Sequence, residues 1–238
     1  MSFLNKLELL NSKPLHVRTE NITTGKNISL RIVFLSDIHL KGFNDQKLIE
    51  NIIHTTQECR PEIILIGGDM VDRKIALLNL FQLIEQLKKI CPIYIVSGNH
   101  DAWVGITEVL NCVKKAGAHC INNSYALIKS NSQIVIIEGN QCKTHFKDSY
   151  RICLAHHPND FYKVSDSGVD MMFSGHLHGC QIVTHTQNNL LYPGAWFYKW
   201  NGLKFKHNQS TLIVSRGLND TLSIRWNCPR EVIVCQLN

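Results

Sequence analysis

Several features are missing from this 238-residue chain, and each absence narrows what it can be. No apolar run approaches the roughly 18–20 residues of a membrane span. The first ten residues, MSFLNKLELL, carry Lys6 and Glu8 inside the stretch and so do not form a secretory h-region. The cysteines form no CxxC pair, and the chain shows no internal repeat, low-complexity tract or linker. Charged residues are only 18% of the chain against 44% apolar, which excludes a disordered polymer. What remains is a chain long enough to bury a full core, expected to form one domain over residues 1–238.

Nine cysteines, an odd number scattered mostly in apolar segments, read as reduced core residues of a cytosolic protein. Lys and Arg outnumber Asp and Glu by 25 to 19, a mild formal +6. No basic run accompanies that charge, so no nucleic-acid partner is expected, and no obligate protein partner is evident. Twelve histidines are many for this length, and six of them cluster.

The apolar pattern has two halves. Leu30–Leu35, Glu62–Ile66 and Ile93–Val96 are short branched runs that suit buried strands. They alternate with helical spacing over Asp45–Cys59, Ile75–Lys89 and Ile106–Ala116, the last stopped by Gly117. This order argues for α/β layering with a partly parallel sheet. Beyond residue 118 short strands dominate, among them Ile134–Glu138, Ile152–Ala155, Met171–Ser174 and Glu231–Cys235. One short helix is expected near Asn159–Val164, and an extended segment near Leu15–Ile22.

Five polar clusters each follow a predicted strand: Asp37-Ile38-His39, Gly67-Gly68-Asp69-Met70-Val71-Asp72, Gly98-Asn99-His100-Asp101, His156-His157-Pro158 and Gly175-His176-Leu177-His178-Gly179. Open α/β sheets place sites at such strand ends. Residues i and i+2 leaving a strand point the same way, so Asp37 pairs with His39 and His176 with His178. Asp, Asn and His donors without Cys suit Mn, Fe or Zn. There are more donors than one ion needs, which suggests two ions sharing a carboxylate and acting on phosphorus.

In this order the clusters, DxH, GDxxD, GNHD, HHP and GHxH, resemble the calcineurin-like metallophosphoesterases. That resemblance implies a four-layer α-β-β-α sandwich of two mixed sheets flanked by helices. It implies that Asp37, His39, Asp69 and His178 bind one divalent ion. Asp69 would bridge to a second, held also by Asn99, His156 and His176, with manganese favoured. A metal-bridging hydroxide would attack phosphorus, His100 would serve the leaving oxygen, and Asp72 would orient His100. His156 rather than His157 would be the ligand, leaving His157 beside the substrate.

Gly175-His176-Leu177-His178-Gly179-Cys180-Gln181, Ser215-Arg216-Gly217-Leu218 and Ile224-Arg225-Trp226-Asn227-Cys228-Pro229-Arg230-Glu231 are similar to the bacterial YkuE/YaeI-like subfamily. Its members include general phosphodiesterases and enzymes that cleave UDP-2,3-diacylglucosamine to lipid X and UMP for lipid A. The expected substrate is thus a small-molecule or lipid-linked phosphate, with UDP-2,3-diacylglucosamine the best guess. General phosphodiester hydrolysis is the alternative, and a non-catalytic scaffold of the same fold a remote one. The segment Leu190–Lys206 mixes aromatics with lysines and reads as a hairpin. Its Trp196 and Trp200 either face an acyl chain or the membrane interface, as a substrate-binding role requires, or only pack on the sheet. Arg216 is expected either to meet a substrate phosphate or to sit in a structural salt bridge. The expected location is the cytoplasm, with peripheral contact on the cytoplasmic face of the inner membrane.

Overall fold

A computed structural model describes residues 6–9, 12–140, 149–220, 222 and 224–238. Cys142, His145 and part of the first ten residues lie outside the described residues. The strands are β1 (Leu7–Leu9), β2 (His16–Ile22), β3 (Leu30–Leu35), β4 (Ile63–Ile66), β5 (Ile93–Ile95), β6 (His119–Cys120), β7 (Tyr125–Ser130) and β8 (Gln133–Gly139). They continue with β9 (Tyr150–Leu154), β10 (Met171–Ser174), β11 (Val183–Gln187), β12 (Leu190–Pro193), β13 (Lys204–His207), β14 (Ser210–Val214), β15 (Ile224–Trp226) and β16 (Glu231–Leu237). The helices are α1 (Gln46–Glu58), α2 (Leu77–Lys88), α3 (Asn99–Lys115) and α4 (Phe161–Asp166).

Two six-stranded mixed sheets form, in the orders β2-β16-β3-β4-β5-β6 and β13-β14-β10-β9-β8-β7. In the first, β3 to β6 run parallel; in the second, β8, β9, β10 and β14 do. The central strands β3, β4, β9 and β10 are buried on nearly every residue, as the apolar runs required. Alternation then assigns their faces. Val33, Leu35, Ile64 and Ile66 pack under α1 to α3, against Ile52, Leu83 and Val109. Ile32, Phe34 and Leu65 turn the other way, onto Ile152, Leu154 and Phe173 of the second sheet. The Phe34 and Phe173 rings meet across that interface at 5.1 Å. The outer face of the second sheet, with Cys153, Met172 and Leu212, is covered by Phe161 and Val164 of α4 and by Trp200. The result is the expected four-layer α-β-β-α sandwich.

Two elements depart from the sequence reading. Helix α3 starts at Asn99 rather than near Ile106, because Asp101 caps its first turn and a break at Gly105 (φ 128°) lies within it. The Leu190–Lys206 segment is a hairpin only at its base, where Leu190 and Gly202 form one antiparallel bridge; β12 otherwise pairs with β11 and β13 with β14. No helix among the described residues is long and apolar enough to cross a membrane.

Candidate metal centre

The loops that leave the parallel strands β3, β4, β5, β9, β10 and β14 all converge on one edge of the sandwich. Their backbones are unusual there. Asp37 (φ 56°), His39 (45°), Asp69 (50°), His176 (73°) and His178 (51°) are all left-handed. That region is sparsely used by residues with a side chain, and such strain collects at functional sites. The side chains of the DxH and HxH pairs therefore converge through tight left-handed turns, not through strand alternation as expected. Local bonds hold the turns. Asp37 N donates to Gly68 O at 3.1 Å, His39 N to Asp69 O at 3.0 Å, and His176 N to the Asp37 carboxylate at 3.0 Å. Gly68 (φ 90°) is the residue that turns β4 into this corner, and any Cβ there would strike the Gly98 backbone.

Three overlapping donor groups form here, and one of them, His39 with Asp69 and His100, lies between the other two. In the first, Asp37, His39 and His178 bring ligand atoms within 4.8 Å of one another. His39 Nε2 lies 3.1 Å from His178 Nε2, and His178 Nε2 lies 3.5 Å from Asp37 Oδ1. In the second, Asp69, His156 and His176 do the same. His156 Nε2 sits 3.1 Å from Asp69 Oδ2 and 3.1 Å from Asn99 Oδ1, while His176 Nδ1 sits 3.0 Å from that amide oxygen. Asp69 Oδ2 also lies 3.9 Å from His39 Nε2, so one carboxylate faces both groups.

The outer ring nitrogens fix the tautomers. His39 Nδ1 donates to Asp72 at 2.6 Å, His178 Nδ1 to Asp220 at 2.9 Å, and His156 Nδ1 to Gly67 O at 2.7 Å. Once deprotonated at Nε2, the rings would turn bare lone pairs inward. Lone pairs that face each other at 3.1 Å repel unless a proton or a cation sits between them. The donor set of carboxylate, amide oxygen and imidazole therefore fits divalent ions of the Mn, Fe or Zn kind. Electrostatics agree. Burial pushes Asp69 up, but the hydrogen bond and charge of His156 outweigh it and hold its carboxyl at about 2. Burial pushes His156 down, yet Asp69 and Asp37 raise it to about 9. Burial, then the charges of His156 and His157, lower His176 to about 4.

A calcineurin-like phosphoesterase family model matches residues 30–180, well over half of the chain and all five clusters. The chain belongs to that family. It is a metal-dependent phosphoester hydrolase. It is 27% identical over 221 residues to Phosphodiesterase YaeI of Escherichia coli, covering 87% of this chain and 82% of that one. It is 27% identical to metallophosphoesterase YkoQ of Bacillus subtilis over 251 residues, covering 95% and 92%. TT1561 of Thermus thermophilus shares the fold at a TM-score of 0.51 and 11% identity, covering 80% of this chain and 90% of that one.

All seven expected ligands meet at this centre, and His156 rather than His157 points into it. The His157 ring instead meets His176 at a tilt, with centroids 4.2 Å apart, at the rim. His100 Nδ1 donates to Asp72 at 2.8 Å, through the same oxygen that holds His39, so Asp72 positions two imidazoles rather than one. The backbone N–H of His100 donates to Asp69 Oδ1 at 2.8 Å.

Two expectations need correction. Arg216 does not face the centre with a free guanidinium. Its Nε donates to Glu231 Oε2 at 3.0 Å and its backbone N–H to Oε1 at 3.0 Å, against a fully buried carboxylate that Arg18 also meets at 3.2 Å. Trp200 does not face a membrane surface: it is 7% exposed, meets Phe161 and Phe205 edge to face at 5.5 and 5.1 Å, and reaches only the small cavity beside His176. Trp196, at 68% exposure, does lie at the surface.

Sequence reasoning missed Asp220 and Asp101. Asp220, gripped by Arg225 Nη2 at 2.6 Å, orients His178 from 42 residues away. Asp101, fully buried, accepts from the N–H groups of Gly98, Met70 and Val71 and so ties the third cluster to the second. Its place in GNHD was the available signal. Asp220 carried none, because it belongs to no motif.

Proposed function

We propose that this protein is a dinuclear, metal-dependent phosphodiesterase. The observation that carries the reading is the pair of donor groups that share Asp69. Asp37, His39, Asp69 and His178 would hold one divalent ion, and Asp69, Asn99, His156 and His176 the other. Manganese is the ion we expect for these oxygen and nitrogen donors. When bound, such ions neutralise phosphate oxygens and lower the pKa of a water that attacks phosphorus. The chain's own groups do the rest. Asp72 holds the Nδ1–H of His100; in its imidazolium form the ring would pass its Nε2 proton to the departing ester oxygen and be left a neutral imidazole. Asp72 stays ionised in this role, because the His39 hydrogen bond and the His39 and His100 charges outweigh burial and hold it below its ordinary value. His157 borders the substrate from the rim.

The complete donor set argues against a non-catalytic scaffold. A narrower reading is hydrolysis of UDP-2,3-diacylglucosamine to lipid X and UMP at the inner-membrane surface, within lipid A synthesis. The exposed Trp196, Phe197 and Tyr198 beside Lys199 favour it. The test is a substrate panel with manganese-loaded protein, wild type beside Asp69→Ala. We expect hydrolysis of bis(4-nitrophenyl) phosphate by wild type and a loss of at least about a thousandfold in Asp69→Ala, since both donor groups lose their shared ligand. Absence of hydrolysis on every diester after loading with Mn, Fe and Zn in turn would overturn the proposal. Release of UMP from acylated but not deacylated UDP-glucosamine would establish the narrower reading. No UMP from either would remove it.

A further inference from the structure

Two cavities flank the metal centre, and His157 borders both. The larger, about 530 Å³, shares Asn99 and His156 with the centre and is otherwise lined by mixed polar groups, including Lys163 and Ser167. The smaller, about 250 Å³, shares His176 and is walled by Leu177, Phe197, Tyr198 and Trp200. A phosphodiester has two ester arms, and phosphorus held between Asn99 and His176 would send one arm into each cavity.

We infer that the smaller cavity is a subsite for a planar ring on one ester arm, an aryl group or a nucleobase. The inference rests on the phosphodiesterase reading for where phosphorus sits. Four rings line the cavity beside His176: His157, Phe197, Tyr198 and Trp200. Its floor is rigid, because Trp200 is locked by edge-to-face contacts with Phe161, Tyr162 and Phe205 at 5.0–5.5 Å. Its rim is open, with Phe197 79% and Tyr198 54% exposed. Aromatic side chains left that exposed beside a reactive centre have surface to gain by covering a ligand's flat face. The His157 ring continues the wall toward the centre through a tilted contact with His176. Lys199 adds a cation at this edge, its Nζ lying 4.0 Å from the Tyr162 ring centroid and 5.1 Å from that of Trp200. Aliphatic arms would gain the area but not the stacking, so the cavity discriminates by ring. Its size admits one ring system beside the phosphate, which makes it a poor fit for a pair of acyl chains.

The test is calorimetric binding to manganese-loaded protein, which does not depend on turnover. Two matched pairs differ only by a ring: AMP against ribose 5-phosphate, and phenyl phosphate against methyl phosphate. We expect the ring-bearing member of at least one pair to bind about tenfold or more tightly, as base-on-aromatic stacking supplies elsewhere. The gap should shrink to within about twofold in Phe197→Ala and Tyr198→Ala together, whose exposed side chains can be removed without opening the core. A gap in the AMP pair alone assigns the cavity to nucleobases; a gap in both assigns it to planar rings in general. Equal affinities within both pairs in wild type would overturn the inference, as would a gap that survives the double variant. Failure of the phosphodiesterase reading shows separately, as wild-type protein that binds these ligands yet hydrolyses no diester.

Discussion

Asp72 shows how much one carboxylate oxygen can organise. Its Oδ1 takes the Nδ1–H of both His39 and His100, so a candidate metal ligand and the proposed leaving-group acid share one anchor. Outer partners of metal-binding histidines typically matter by 10–100-fold. We therefore expect Asp72→Asn to lose about 10–100-fold in kcat and also to bind metal more weakly. His100→Gln should lose rate at full metal content. Metal analysis beside kcat separates the two, and full metal content in Asp72→Asn would refute the shared anchor. At this scale the donors were legible because their types and order are set by chemistry that tolerates few substitutes. The second anchor, Asp220, was not: it reaches His178 only because Arg225 holds it there, and no local pattern marks a residue whose role depends on a distant fold contact. The fates of Trp196 and Trp200 were illegible for a related reason. Composition placed both in an aromatic segment, but only packing against Phe161 and Phe205 decides which one is core.

The elements were readable where their faces are simple. Short apolar runs buried on both sides marked β3, β4, β9 and β10, and helical spacing marked α1 and α2 within a residue or two. The start of α3 was hidden because its first turn has no apolar periodicity. That turn exists because Asp101 caps it, accepting three backbone N–H groups from Gly98, Met70 and Val71. The cap thus fastens the β4 loop, which carries Asp69, to the helix that carries Asn99 and His100. Removing it leaves three buried donors without a partner. We expect Asp101→Ala to cost about 2–4 kcal/mol of stability, read as a lower midpoint in urea. We also expect weaker metal binding, because Asp69 and Asn99 lose their common tie. An unchanged midpoint would show that water replaces the cap at no cost.

Across the whole molecule, the mild net charge hides a set of buried ion pairs that fasten the C-terminal strand to the sandwich. Glu231, fully buried at the start of β16, meets Arg18 of β2 and Arg216 of the loop after β14. Arg230 beside it meets Glu8 of β1 at 2.6 Å. Taking such charges from water is expensive, and removing one member strands the rest. Burial pushes Glu231 up, but the charges of Arg18 and Arg216 outweigh this and hold it below its ordinary value of 4.5. Asp220 is likewise held below 3.8, where hydrogen bonds from His178 and Arg225 and the Arg225 charge outweigh burial. For a carboxyl whose folded pKa is depressed, the unfolded chain takes up protons first as pH falls. The stability these groups contribute is therefore fully present above about pH 5 and lost progressively below about 4.5. We expect the Tm of the metal-free protein to hold level for these groups from about pH 7 to about 5 and then to fall steeply. Glu231→Gln should lower stability at about pH 7 by about 3–5 kcal/mol, since it leaves Arg18 and Arg216 short of a buried partner. The same variant should flatten the acid limb, because the group that titrates there is gone. A variant destabilised at neutral pH with an acid limb as steep as wild type would show that the limb belongs to other carboxylates.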